Sequence, residues 1–237
     1  MRAICRSFLH MLKFIRHDMM LFAALTAPVL AGMAIKFIVP FIEKSLIQFT
    51  GMNAVISPYY GLFDIFFASI SPAMFCYISA MVMLEEHDDH IDRYLFITGL
   101  GKNGYIISRI VIPALFAFVT TAVLLPIFRL TDLSAAQIIF LSLTGTLQGI
   151  IIALLIAALS SNKLEGMAVT KLSSLIIFGA AAPYFISSPF CFCFSFLPSF
   201  WMGKSIYDNS LIYMVPSLFV GGIQIIILQR KIMKSLI

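Results

Sequence analysis

Five acidic residues and two histidines crowd into one short stretch of the chain. Glu85, Glu86, Asp88, Asp89 and Asp92 are five of the eleven carboxylates, and His87 and His90 are two of the four histidines. On a helix, histidines three positions apart share a face, and the flanking aspartates add oxygen donors, so metal-assisted chemistry is the first to weigh. The signal is weak. A zinc site needs three or four converging ligands, and HDDH is also what a solvated polar loop looks like. Other chemistries fare worse. The pairs Gly101–Lys102 and Gly203–Lys204 lack the glycine spacing of a phosphate-binding loop, and no serine has glycine two residues away on both sides. Any work driven by a nucleotide therefore requires another chain.

The elements that must position this stretch are apolar. Hydrophobic residues make up 61% of the 237 and charged residues 11%, against about 25% charged in a soluble domain. A chain this apolar needs the bilayer as its solvent. There, unpaired backbone groups are too costly, so spans are helices or closed barrels. The apolar runs are continuous rather than alternating, which favours helices. No cleavable leader is expected, because the first apolar run starts late, lacks a small-residue cleavage site and is followed by further spans. Cys5 and Cys76 stand alone and Cys191 and Cys193 are too close for an easy bridge, so the cysteines read as apolar filler.

Residues 1–18 place Arg2, Arg6, His10, Lys13 and His17 on one stripe and Ile4, Phe8, Leu12 and Ile15 on another. This is the pattern of an amphipathic helix lying on an anionic membrane surface, with Arg16 adding to its charge. Six spans of roughly 20 residues follow, over 19–42, 59–84, 105–128, 135–159, 166–186 and 210–228. In the first, Lys36 is expected to snorkel or to pair with Glu43. In the fourth, Gly145 and Gly149 form a small-x-x-x-small pair that lets another helix approach closely. Residues 187–209 are aromatic, broken by Pro189 and Pro198, and read as short helices at the interface, with Trp201 at the level that suits it.

The cations set the orientation. With the N-terminus inside, Arg2, Arg6, Lys13, Arg16, Arg93, Lys102, Arg109, Lys163, Lys171, Arg230, Lys231 and Lys234 are internal, and Lys36, Lys44, Arg129 and Lys204 are external, 12 against 4. That bias puts both termini and the acidic stretch in the cytoplasm. It also explains the net charge of +5 without nucleic acid. Within the acidic stretch, Ile91, Tyr94, Leu95 and Thr98 recur at helical spacing, Gly99 offers a left-handed end and Asn103 a cap for the next helix. A short helix over residues 85–98 is expected, with an apolar face suited to a partner's groove.

These residues resemble the signature of type-2 ATP-binding-cassette exporter permeases, most nearly the short fluoroquinolone-type subgroup. Glu85, Glu86, Asp88 and Asp89 match the acidic start after the second span, Thr98 the turn, and Gly104 and Tyr105 the exit; Gly99 stands where relatives carry proline. SSNKLEGMAVTK at 160–171 and LPSFW at 197–201 are similar to two further family stretches. The resemblance implies an all-α integral membrane protein with six transmembrane helices. It also implies an N-terminal interfacial helix and a cytoplasmic coupling helix between spans two and three. It implies a permease dimer in the plasma membrane, with a second copy or a related chain. Each permease would bind a cytoplasmic ATPase that carries the ATP and Mg, through Glu85, Glu86, Asp88, Asp89, Ile91, Tyr94, Leu95, Thr98 and Gly99. Two other readings stand beside the exporter. One is a non-transporting interaction or immunity protein of the same fold, and the other is a membrane metalloenzyme using His87 and His90. The few polar span residues, Asp64, Ser69, Ser71, Ser79, Thr120, Thr121, Thr144, Gln148 and Gln224, suit an amphipathic or lipid-soluble cargo such as a drug, a lipid or a peptide.

Overall fold

The computed structural model describes residues 7–9, 11, 13, 15, 18–51, 53–97, 101–186 and 190–235. They contain no strand. Six helices are long and apolar enough to cross a membrane: α1 (Met19–Thr50), α2 (Ser57–Asp88), α4 (Gly104–Phe128), α5 (Ala135–Leu159), α6 (Lys163–Phe185) and α8 (Leu211–Ile232). Two shorter helices, α3 (Ile91–Ile97) and α7 (Pro198–Tyr207), lie between them. The first span is longer than the expected 19–42, and α2 runs four residues past Leu84. Arg2, Arg6 and Arg16 lie outside the described residues. Positions 7–9, 11, 13 and 15 are helical, with Lys13 exposed. Met11 and Ile15 are buried in the core of the bundle, and Phe8 stacks on Phe116.

The bundle is built around α2. In its most apolar stretch 72% of residues are buried, and 61% in α5, against 17% in both α1 and α8. The outer helices thus keep apolar surface for lipid, while α2 and α5 form the core pair. A proline makes their contact close. Pro72 has no N–H, so the Ala68 carbonyl one turn earlier loses its helical donor. A Cβ on Gly145 would stand 2.0 Å from that oxygen, and one on Gly149 would stand 3.0 Å from the Pro72 oxygen. Both glycines let the α5 backbone settle on the distorted turn of α2.

Three spans depart from α-helical geometry at a constant distance from a proline. A π turn over Ala34–Ile38 precedes Pro40, and a second over Ile107–Val111 precedes Pro113. A 3₁₀ stretch over Ser174–Ala181 precedes Pro183. Each ends two residues before the proline, whose ring crowds the carbonyl four positions back and offers it no donor. The helix answers by widening or tightening the preceding turn. The 3₁₀ stretch has further support, since the Ser199 hydroxyl donates to the Ile176 carbonyl at 2.6 Å.

The aromatic segment departs from the expected short interfacial helices in its second half: Phe190 and Phe196 are exposed, but α7 enters the bundle. Helix α7 buries Phe200 and Met202 completely. Gly203 brings it against the Ala180 carbonyl, which a Cβ would meet at 2.3 Å. The Ser217 hydroxyl donates to the Pro198 carbonyl at 2.9 Å, tying α7 to α8. It plugs the end of the bundle because its small residues, Ser199, Gly203 and Ser205, sit on the buried face.

Candidate coupling site

The acidic stretch divides at a corner instead of forming one helix. Helix α2 keeps its bonding through Glu85, Glu86 and Asp88, and the Asp89 amide still donates to the Glu85 carbonyl at 3.0 Å. His90 then turns left-handed, at φ 58°, a conformation that costs a side-chain-bearing residue free energy. Helix α3 starts at Ile91. The expected single docking helix over residues 85–98 is therefore two pieces: the last turn of α2, and the seven-residue α3 carrying Ile91, Tyr94 and Leu95. Thr98 and Gly99 lie outside the described residues. The next helix begins at Gly101, at φ 64°, so Asn103 lies within it and not at the position before it.

Glu86 faces inward and not toward a docking partner. Its carboxylate is gripped by Arg109 through two nitrogens, Nε at 2.9 Å and Nη2, and by the Tyr105 hydroxyl at 3.0 Å. Arg109 is 1% exposed and also donates to the Ser7 carbonyl at 3.0 Å. The α4 helix presents Tyr105 and Arg109 four residues apart on one face, and the π turn carries Arg109 at the position four before Pro113. A bidentate guanidinium–carboxylate pair with a phenol donor satisfies most of the groups it buries. It joins α2, α4 and the N-terminal segment.

A second cluster lies beside it. The Lys163 ammonium donates to Asp18 at 2.9 Å and Glu85 at 2.6 Å, while the Lys163 amide donates to the Asp88 carboxylate at 3.1 Å. Asp18 also caps α1, accepting from the Met20 and Leu21 amides. The hydrogen bond from Lys163 holds the Asp18 carboxyl below its ordinary range, aided by those two amides against the opposing effect of burial. One lysine thus fastens the starts of α1 and α6 to the end of α2. The sequence shows Arg109 as an inside charge and Lys163 as an inside charge within the 160–171 stretch, and pairs neither with a carboxylate. The available signal was Tyr105 and Arg109 at i, i+4 in an apolar context.

The two histidines of the stretch point to different surroundings. His87 Nδ1 lies 2.8 Å from Asp92, which is buried at the start of α3. His90 sits on the corner. No group of three His, Cys, Asp or Glu side chains converges among the described residues. What α3 offers outward is apolar: Tyr94 is 73% and Ile97 86% exposed, with Ile91 beside them, while Leu95 and Phe96 face the bundle and Phe96 meets Tyr105 edge-on. Asp89 is exposed next to this face.

Polar groups at mid-span are mostly bonded within the bundle. Ser71 and Thr121 share a hydrogen bond of 2.9 Å, Thr144 bonds the Phe140 carbonyl, and Gln224 donates to the Phe196 carbonyl. Gln148 and Ser79 are buried with no partner among the described residues. Lys36 does not meet Glu43. Its ammonium donates to the Ile127 carbonyl at 2.6 Å, one residue after Pro126, and Glu43 is occupied by the Val55 and Ile56 amides.

A family model described as "Fluoroquinolones export permease protein Rv2686c-like" matches residues 11–230. No curated protein and no solved structure matches the chain.

Proposed function

The chain belongs to the Rv2686c-like fluoroquinolone export permease family, and from that membership we propose that it is the membrane subunit of an ATP-driven exporter. In this reading a separate cytoplasmic ATPase carries the ATP and Mg and docks on α3. Two permeases, identical or related, form the translocating unit in the cell membrane, with both termini inside. The cargo is an amphipathic or lipid-soluble compound, and the family description names fluoroquinolones as the class its members export.

One observation supports the docking reading above others. Ile91, Tyr94 and Ile97 form an exposed apolar face on a short helix at the end of the bundle where the cations gather. A groove on a partner is the usual complement of such a face. Asp89, Asp88 and Glu85 border it with negative charge, and the last two are already engaged by Lys163. Motion of α3 would be passed on rigidly, because the Asp92–His87 contact and the Phe96–Tyr105 contact tie it to α2 and α4.

Co-purification tests this. With the ATPase encoded beside the permease co-expressed, Tyr94→Asp and Ile97→Asp should each cut its recovery with the permease at least about tenfold. A lost aromatic hot spot is worth about 2 kcal/mol or more at an interface. Membrane insertion should be unchanged, since both residues point outward. Undiminished recovery would refute docking on α3.

A further inference from the structure

At the opposite end of the bundle, four elements enclose a cavity of about 340 Å³. Its wall is formed by the start of α2 at Gly61, the turn before α5 at Asp132 with the first turn of α5 at Gln137, the end of α6 at Tyr184, and the end of α7 at Tyr207 and Asn209. The volume is within the range of small-molecule sites, roughly 300–1,000 Å³. The wall is part aromatic and part polar. Tyr184 and Tyr207 meet edge-to-face, with ring centroids 5.1 Å apart, and neither hydroxyl has a hydrogen-bond partner among the described residues.

The charge at this cavity is unbalanced. Arg129, the nearby cation, donates to the Leu133 carbonyl at 2.6 Å and acts on the buried Asp64. That leaves Asp132 exposed at the rim, with no ion pair or hydrogen bond among the described residues. Asn209, at φ 48°, is the left-handed residue that closes α7, with the Ser210 amide donating to the Ser205 carbonyl at 2.9 Å. Its side-chain carbonyl accepts from the Gln137 side-chain amide at 3.0 Å, and the Ser134–Gln137 capping box fixes Gln137 in turn, so this part of the wall is held in one shape.

We infer that the cavity between Asp132, Tyr184 and Tyr207 binds an aromatic organic cation. The rings contact its flat body and the positive charge faces the Asp132 carboxylate. Aromatic faces attract cations through their quadrupole, and a free carboxylate adds to that field. This deepens the export reading and rests on it only for the direction of release. On that reading the cavity lies at the outer face, where a departing cargo would pause. Binding itself needs no ATPase.

The test uses the purified permease in lipid nanodiscs and ethidium, a permanently charged aromatic dye, read by fluorescence anisotropy with empty nanodiscs subtracted. Saturable binding is expected. Asp132→Asn and Tyr207→Ala should each weaken it about three- to tenfold, the scale of one exposed charge or cation–π contact. Asp208→Asn, a neighbouring carboxylate outside the wall, should leave it unchanged. Phenanthridine, the uncharged ring system, should compete poorly. Equal binding by wild type, Asp132→Asn and Tyr207→Ala overturns the site. So does an equal loss in Asp208→Asn, which would mark diffuse surface charge. Thermal unfolding of the variants guards against misfolding, and both substituted side chains are exposed. Ethidium efflux from vesicles holding the permease with its ATPase separates the two ideas. Intact binding without ATP-driven efflux defeats the export reading and leaves the cavity standing. Efflux untouched by either variant, with binding also untouched, defeats the cavity alone.

Discussion

The two ends of the bundle differ in whether their carboxylates meet cations on other helices. At the end holding Phe128 and Ser57, Asp64 accepts the Leu130 and Thr131 amides at 2.8 and 2.9 Å and also takes the Thr131 hydroxyl. Glu43 accepts the Val55 and Ile56 amides. These groups tie loops down by their backbone. At the end holding Glu86, carboxylates pair with cations on other helices: Glu86 with Arg109, and Asp18 and Glu85 with Lys163. A backbone cap fixes one loop in one shape. An ion pair between helices is a discrete contact that can be broken and remade as the helices move, with a low-energy state on each side. The difference matches the two tasks of the proposed exporter, which needs a braced outer end and an inner end that responds to a motor.

The comparison is most open to attack at the buried pair. Arg109→Ala should leave a buried carboxylate facing no cation and cost about 3–5 kcal/mol of stability, the range for one partner lost from a buried pair. Glu86→Met combined with Arg109→Leu should recover most of that loss in thermal unfolding, yet abolish ATP-driven efflux, because the apolar pair packs without switching. A double variant that still transports would remove the moving contact from the Glu86 end. Asp64→Ala is the counterpart at the other end. It strips two half-buried amides of their acceptor and should cost about 1–3 kcal/mol, seen in unfolding, with the surviving folded protein coupling ATP to efflux normally. A coupling defect there would erase the contrast between the ends.

The smallest effect concerns acid. Asp18 has its carboxyl held below the ordinary 3.8 by Lys163. A carboxylate with a depressed folded-state pKa contributes stability above its unfolded pKa, and loses it as pH falls through the folded value. The stability advantage of wild type over Asp18→Asn should therefore be constant at neutral pH and shrink below about pH 3.8. Thermal unfolding of both proteins at several pH values from 6 down to 3 measures it. The effect is modest, since a partly exposed pair is screened by solvent.

Much of the architecture was legible in the sequence because its cause is local. A run of apolar residues long enough to cross a bilayer is its own signal, and six such runs appear as six helices. The cations at one end are equally local. Contacts between distant residues were not legible. Glu86 looked like a surface acid because nothing near it in sequence reveals that Arg109, 23 positions on, reaches back to it. The same holds for Lys163 and Asp18, 145 positions apart. Helix α2 runs on past Leu84 for a related reason. The buried pair lets the helix continue past Leu84, where hydropathy alone ends the span. Helix α7 was placed at the lipid surface because its two prolines and many aromatic residues suit an interface, whereas the small residues on one face let it enter the bundle.

The π turns before Pro40 and Pro113 bear on how chain length varies among relatives. A π turn holds one more residue than the α-helical turn it replaces, and each residue advances an α-helix by about 100°. The turn absorbs that excess, so the residues on either side keep the faces they need. A relative lacking one residue within 107–111, together with the proline, would form an unbroken helix presenting the same faces. Single-residue gaps in the middle of a membrane helix, usually taken as alignment errors, should thus be genuine at these two places. In the regular α-helical parts of the six helices, a one-residue insertion would rotate everything beyond it away from its partners.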